Sequence, residues 1–213
     1  MARGTQGRPR GTAGPDASTA SRRRIVQSGP VARSRHHLGV PVARSSKHPP
    51  ASRLAAIARR LLDASTLCAI ASVSPGGRAH VNTAYFAWGT AFDVVWLSAP
   101  EARHSRNIRA NPSAAVAVFR STQRWGGRDR GIQLLGRARE LRGHVALEAE
   151  RLYAKRFKAY KGELMAYRFY RLRTTRMKLF DERVLGGGTF VTVRVGPRGR
   201  VRWERTESYA AED

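Results

Sequence analysis

Four cationic side chains crowd one short stretch: Arg103, His104, Arg106 and Arg109, directly behind the strand-like run Phe92 to Leu97. Guanidinium and imidazole groups that follow a strand and open a helix point to anion binding. The first turn of a helix leaves backbone N–H groups unpaired at the positive end of its dipole, and two cations within that turn add to the field. A phosphate is the natural guest of such a place. The same residues also describe a capped surface helix whose arginines face water, and by themselves they do not choose between the two. Other chemistry is thinly represented. No Ser/His/Asp set and no pair of carboxylates falls in suitable segments, so no side-chain nucleophile, acid or base is assigned. Cys68 is the single cysteine, which excludes a disulfide framework and a cysteine zinc site. It lies in an apolar run and reads as a small buried hydrophobe.

The elements that must position these residues follow from periodicity. Leu54, Ile57, Ala58, Leu61 and Leu62 recur at helical spacing and predict a helix to about Ala64. Thr66 to Ser74 and Arg78 to Trp88 predict two strands joined by a Pro75-Gly76-Gly77 turn. On the second, His80, Asn82, Ala84 and Phe86 share one face, and Val81, Thr83, Tyr85 and Ala87 the other. Phe92 to Leu97 is apolar on both faces and needs cover on each side, which a second subunit could supply. Ser98 reads as the N-cap of the basic helix, with Glu101 completing a capping box and Pro100 in the first turn; Asn111-Pro112 stops it. Ala114 to Phe119 and Gly131 to Leu141 are the next strands, Gly136 marking a bulge or a close approach. A helix from His144 to about Tyr160 and strands Tyr167 to Phe180 and Gly188 to Val195 complete the order. Hairpin-linked strands with helices inserted between them exclude a doubly wound parallel sheet. They predict a mainly β fold, an antiparallel barrel with helices packed outside. No GxGxxG or GxxxxGK[ST] stands between a strand and a helix.

Composition sets the outer bounds. The 213 residues carry a formal charge of +25, from 40 Lys and Arg against 15 Asp and Glu. Residues 1–50 are Arg, Ser, Gly, Ala and Pro without apolar periodicity, which predicts a disordered basic tail. A barrel domain is expected over 51–200 and a loose, charged C-terminal tail over 201–213. A field of this sign attracts anions. It makes loose, sequence-independent binding of nucleic acid through the basic tail the rival expectation to a small-molecule site. No apolar run approaches the ~20 residues of a membrane span, so no membrane contact and a cytoplasmic location are expected.

From Thr66 to Leu141 the order of elements and their local words resemble the pyridoxamine 5′-phosphate oxidase-like family of FMN-binding split barrels. The words are the Pro-Gly-Gly turn between paired strands, a third strand leading into a basic helix that ends in Asn-Pro, and the strand GIQLLGRAREL. Ala102-Arg103-His104, Lys155-Arg156-Phe157 and Met177-Lys178-Leu179-Phe180 are similar to words of a small bacterial branch of that family. The resemblance implies an antiparallel split β-barrel and a homodimer with FMN in a groove between the subunits. It implies that the basic pair Arg103 and His104 grips the FMN phosphate, His104 standing where the family usually has lysine. The ring is expected near Asn82, Thr83, Ala84 and Tyr85, then Trp96, Leu97 and Ser98, with Gln133 directed into the groove. His80 and Tyr85 are candidates to face the ring. Two departures bear on substrate: Asn82 and Ala87 stand where true oxidases carry Arg and Lys, and no substrate-binding Arg and His recur around Thr189 to Arg205. Both count against pyridoxamine 5′-phosphate itself. The implied activity is flavin-dependent oxidoreduction of another small molecule. A deazaflavin coenzyme, or haem with His80, His104 or His144 as ligand, are the alternatives for the same barrel.

Overall fold

The computed structural model describes residues 48–162 and 166–209. The expected tail lies, up to residue 47, outside the described residues. The elements run α1 (Ala51–Asp63), β1 (Leu67–Val73), β2 (Ala79–Trp88), β3 (Val94–Ser98), α2 (Arg103–Ala110), β4 (Ser113–Phe119) and β5 (Arg130–Glu140). They continue with α3 (Gly143–Arg156), β6 (Arg168–Asp181), α4 (Glu182–Leu185), β7 (Thr189–Val195) and β8 (Val201–Ser208). The strands form one antiparallel sheet in the order β3-β2-β1-β4-β5-β6-β7-β8, and a further pairing of β3 with β6 closes the first six into a barrel. The expected fold class is therefore the observed one, with β7 and β8 as an extension and the helices outside.

Closure depends on alternation along β3. Val94 and Trp96 point into the barrel and join Phe86, Ile70, Leu134, Leu172 and Met177 in its core. Trp96 lies opposite Tyr170 of β6, and their rings stack at 5.8 Å. The face Leu54, Ile57, Ala58, Leu61 and Leu62 of α1 buries itself in the same core, as its spacing requires. Val95 points the other way, into a second cluster with Ala87, Phe169, Ala149 and Tyr153 under α3. Both faces of β3 are thus covered within one chain. The cover that a second subunit could have supplied to this strand comes from α3 of the same chain.

The C-terminal boundary is also corrected. Val201–Ser208 is not a loose tail but β8, paired with β7 from Val195↔Val201 to Thr189↔Ser208. Its charges stabilise the pairing. Glu204 accepts from Arg176 at 3.0 Å and from Arg194 at 3.3 Å, and Glu207 meets Lys178 at 3.4 Å and Arg205 at 3.1 Å. Val201 and Thr206 are buried beneath. Alternating charged and apolar residues mark a half-covered strand. The expected bulge at Gly136 is present as a register shift between Leu135 and Gly136, where any Cβ would collide with the backbone carbonyl of Arg173. Among the described residues no helix is long and apolar enough to cross a membrane.

Arg156, last residue of α3, ties three elements together. Its Nη2 donates to the carbonyls of Leu62 at 3.1 Å and Ser65 at 2.7 Å, satisfying groups left open at the end of α1. Its guanidinium also lies 4.4 Å from the Phe86 ring centroid. We expect Arg156→Ala to destabilise the protein by about 2–4 kcal/mol, since two part-buried carbonyls lose a charged donor and the ring loses its cation. Arg156→Lys should recover less than half, because an ammonium cannot span two carbonyls and a ring face together. Chemical denaturation measures both, and a parent-like midpoint for Arg156→Ala would show that the contact is dispensable.

Candidate functional site

The end of β3 and the start of α2 form the junction on which the anion reading depends. Ser98 closes β3 but does not cap the helix, which corrects the expected capping box. The residue before the helix is Ala102, with no side-chain cap, and no acidic residue lies in the first turn. The first N–H groups of α2 are therefore open. The Ser105 hydroxyl donates to the Ala99 carbonyl at 2.8 Å, and the Asn107 amide to the Ser72 hydroxyl at 3.1 Å, fixing the helix against β1. Arg103 is exposed at the helix start and has no hydrogen-bond or ion-pair partner among the described residues.

His104, one residue on, turns the opposite way. Successive helix residues are rotated by about 100°, so Arg103 outward places its neighbour inward. His104 is buried, its Nε2 lies 2.6 Å from the Ser98 hydroxyl, and its ring stacks parallel to His80 at 6.4 Å. Burial lowers its pKa, and the neighbouring charge of His80 lowers it further. His104 is thus neutral near pH 7 and faces the interior, so the expected cationic pair reduces to Arg103. The Ser98–His104 contact is not a catalytic dyad with an orienting acid, since no carboxylate bonds the ring among the described residues.

The remaining expected residues divide between the two faces of the sheet. Asn82, Ala84, Trp96 and Ser98 lie on the inner side, with Ala84 and Trp96 packed on the core. Asn82 Oδ1 and Trp96 Nε1 are buried there without a hydrogen-bond partner among the described residues. Thr83, Tyr85, Leu97 and Gln133 lie on the outer side. A strand alternates its side chains, so these four and the inner four cannot line one surface. The outer set has a second order that sequence reading missed. Thr83, Ala69, Ala117 and Gln133 form one row across β2, β1, β4 and β5, with Tyr85 beside Leu67 and Val81 beside Ala71 in the rows next to it. Val81 is 63% exposed, Tyr85 57%, Phe119 49% and Leu67 45%. The result is an open sheet face with a floor of alanines and an apolar rim. Alternating small residues at 69 and 71, and again at 115 and 117, were its only signal in the sequence.

No group of three or more His, Cys, Asp or Glu side chains able to hold a metal occurs among the described residues. Cys68 is buried, and burial pushes its thiol up to about 12 against the smaller opposing effects of the Ala84 backbone and Arg156. His144 sits exposed on α3, 3.5 Å from Glu148.

The His104 shift has a definite sign. Its native pKa lies below that of the unfolded chain, about 6.5, so the unfolded state binds the proton first. Stability from the neutral buried ring is present above that value and is lost as pH falls through it. We expect the melting temperature of the parent to drop more steeply between about pH 7.5 and 5.5 than that of His104→Gln. Parallel profiles would show that this ring does not report on folding.

Comparison with known proteins identifies the architecture. The model of the pyridoxamine 5′-phosphate oxidase family matches residues 54–185. Among solved structures, the Agrobacterium tumefaciens protein Atu2129 is 21% identical, with a TM-score of 0.56 over 76% of this chain and 65% of that one. Campylobacter jejuni ChuZ is 14% identical, with a TM-score of 0.57 over 72% and 63%. A haem-binding protein of Mycobacterium smegmatis is 16% identical, with a TM-score of 0.50 over 78% and 90%. At these identities the likeness is one of fold. No curated protein matches the chain.

Proposed function

The chain belongs to the pyridoxamine 5′-phosphate oxidase family, and on that premise we propose that it is a homodimeric FMN-binding oxidoreductase acting on a small molecule. The observation that carries the reading is the β3–α2 junction: an uncapped helix start with Arg103 unpaired beside it. This donor set suits a phosphate monoester, since a guanidinium fork and open N–H groups supply parallel charge-assisted hydrogen bonds. With Asn82 and Ala87 on β2 and His104 turned inward, Arg103 is the principal cation of the grip. A bound flavin supplies hydride chemistry itself. The chain's part is to hold the phosphate with Arg103, to offer the flat outer face for a ring or a second subunit, and to exclude water there.

Homodimerisation fits the same outer face. The alanine floor with Tyr85, Val81, Leu67 and Phe119 around it is an apolar surface that a second copy would cover. Ala117→Glu places a charge at its centre without disturbing the barrel interior. Light scattering should show a dimer for the parent and a monomer for Ala117→Glu, with reduced flavin binding in the variant. A dimeric Ala117→Glu would place the interface elsewhere.

Arg103→Ala should weaken FMN binding by ~1.5–3 kcal/mol, about ten- to more than hundredfold in dissociation constant. Riboflavin, which has no phosphate, should bind both proteins equally. Arg124→Ala, an exposed arginine of the β4–β5 loop, should bind FMN like the parent. Calorimetric titration measures all three, and equal FMN affinity for the two variants would remove the phosphate site from α2. The absorption spectrum of the purified protein discriminates further. A flavin spectrum supports the reading, whereas a deazaflavin or a haem band would replace FMN with one of those groups.

A further inference from the structure

A cleft of about 840 Å³ lies where β5, β6 and the β7–β8 turn meet. It shares no residue with the junction described above, and it does not depend on the flavin reading. Five guanidiniums line it, from Arg137, Arg139, Arg171, Arg173 and Arg198, against one carboxylate, Asp93. Their arrangement is unusual for a sheet. Arg137 lies directly opposite Arg173, and Arg139 directly opposite Arg171, on alternate positions of the outer face. Like charges paired across strands destabilise a ladder. On β6 and β7, by contrast, Arg176 and Arg194 are both neutralised by Glu204. Among the described residues, none of the five cleft arginines has an ion pair within 4.0 Å or a side-chain hydrogen bond. Asp93 is the one carboxylate set against these five; burial raises its pKa, opposed by the nearby charges of Arg171 and Arg173 and the Thr174 backbone.

The backbone around the cleft is held in costly conformations. Among the described residues, only two non-glycine residues have positive φ: Arg198, at 57°, and Phe92, at 61°. Both border the cleft, one as a lining side chain and one between the lining residues Ala91 and Asp93. The Phe92 turn is pinned by the Thr174 hydroxyl, which donates to its carbonyl at 2.7 Å. Gly199 lets the β7–β8 turn press on Thr90, and Gly136 lets β5 press on Arg173, where a Cβ would collide in each case. Uncompensated charge and local strain in one concavity are what a site for a strongly charged ligand retains.

We propose that this cleft binds a compact polyphosphate, of the class of a pyrophosphate- or triphosphate-bearing small molecule. Two rungs of two arginines cover a patch of roughly 5 by 7 Å, and each guanidinium can take two phosphate oxygens. A nucleic-acid strand would call for a longer track of charge, whereas this volume is that of a small-molecule site.

Inorganic tripolyphosphate is the probe. Calorimetry at about 0.15 M salt should give one saturable site per chain, with orthophosphate at least about tenfold weaker. Arg137→Gln/Arg173→Gln should lose tenfold or more in affinity, while the ligand-free variant melts at or above the parent because an opposed charge pair is gone. Arg198→Gly should weaken binding and also hold or raise the melting temperature, since glycine adopts that φ without strain. Arg124→Gln/Arg128→Gln, in the exposed β4–β5 loop, should bind as the parent does. Equal losses in the loop and cleft variants, non-saturating binding, or a single-stranded oligonucleotide that binds through Arg137 and Arg173 more tightly than tripolyphosphate would overturn the proposal.

Discussion

The pairing of β3 with β6 is the constraint on which the rest of the molecule depends. Without it the sheet is an open ribbon whose inner face would lie against water. With it, Trp96 and Tyr170 stack across the seam and the inward side chains of six strands become one core. The seam also fixes where β3 ends. Ser98 is its last residue, opposite Arg168, and α2 begins five residues later against β1. The placement of Arg103 outside and His104 inside follows from that position and from helical rotation.

The same closure assigns every strand residue to one of two environments, and function follows the assignment. Inside, polar groups must find partners, and the Ser98–His104 and Asn107–Ser72 contacts satisfy some of them. Outside, β1, β2, β4 and β5 present alanines and a few large apolar side chains, an arrangement suited to a partner surface and poor in specific chemistry. Where β5 and β6 run on beyond Gly136, the outer face changes to paired arginines. A single bulge thus separates an apolar surface from a cationic one on neighbouring parts of the same strand.

Net charge gains meaning only through this distribution. A surplus of 25 positive charges would be a diffuse field if the acidic residues were spread evenly. They are not. Asp181 binds Arg60 at 2.9 Å, Glu140 meets Arg109 and Arg142, and Glu204 and Glu207 pair along β6, β7 and β8. Carboxylates are thereby committed to holding elements together, which leaves the cleft arginines and Arg103 as local concentrations of unneutralised charge.

Much of this was legible in the residue order. Period and punctuation located α1, the hairpins, the basic helix and the bulge at Gly136, because each depends on neighbours within a few positions. Family membership was legible for the same reason, since its words are local. Other features depended on which strands meet. Val201–Ser208 looks like a charged tail until β7 lies beside it and its glutamates find Arg176, Arg194 and Lys178. His104 looks like a phosphate ligand until α2 is rotated onto β1 and β2. The row Thr83–Ala69–Ala117–Gln133 and the opposed arginines join residues up to 64 positions apart in the chain. Local sequence determines what each segment can become. Barrel closure alone decides which side chains share a surface, because strand register is a long-range property that no short stretch carries.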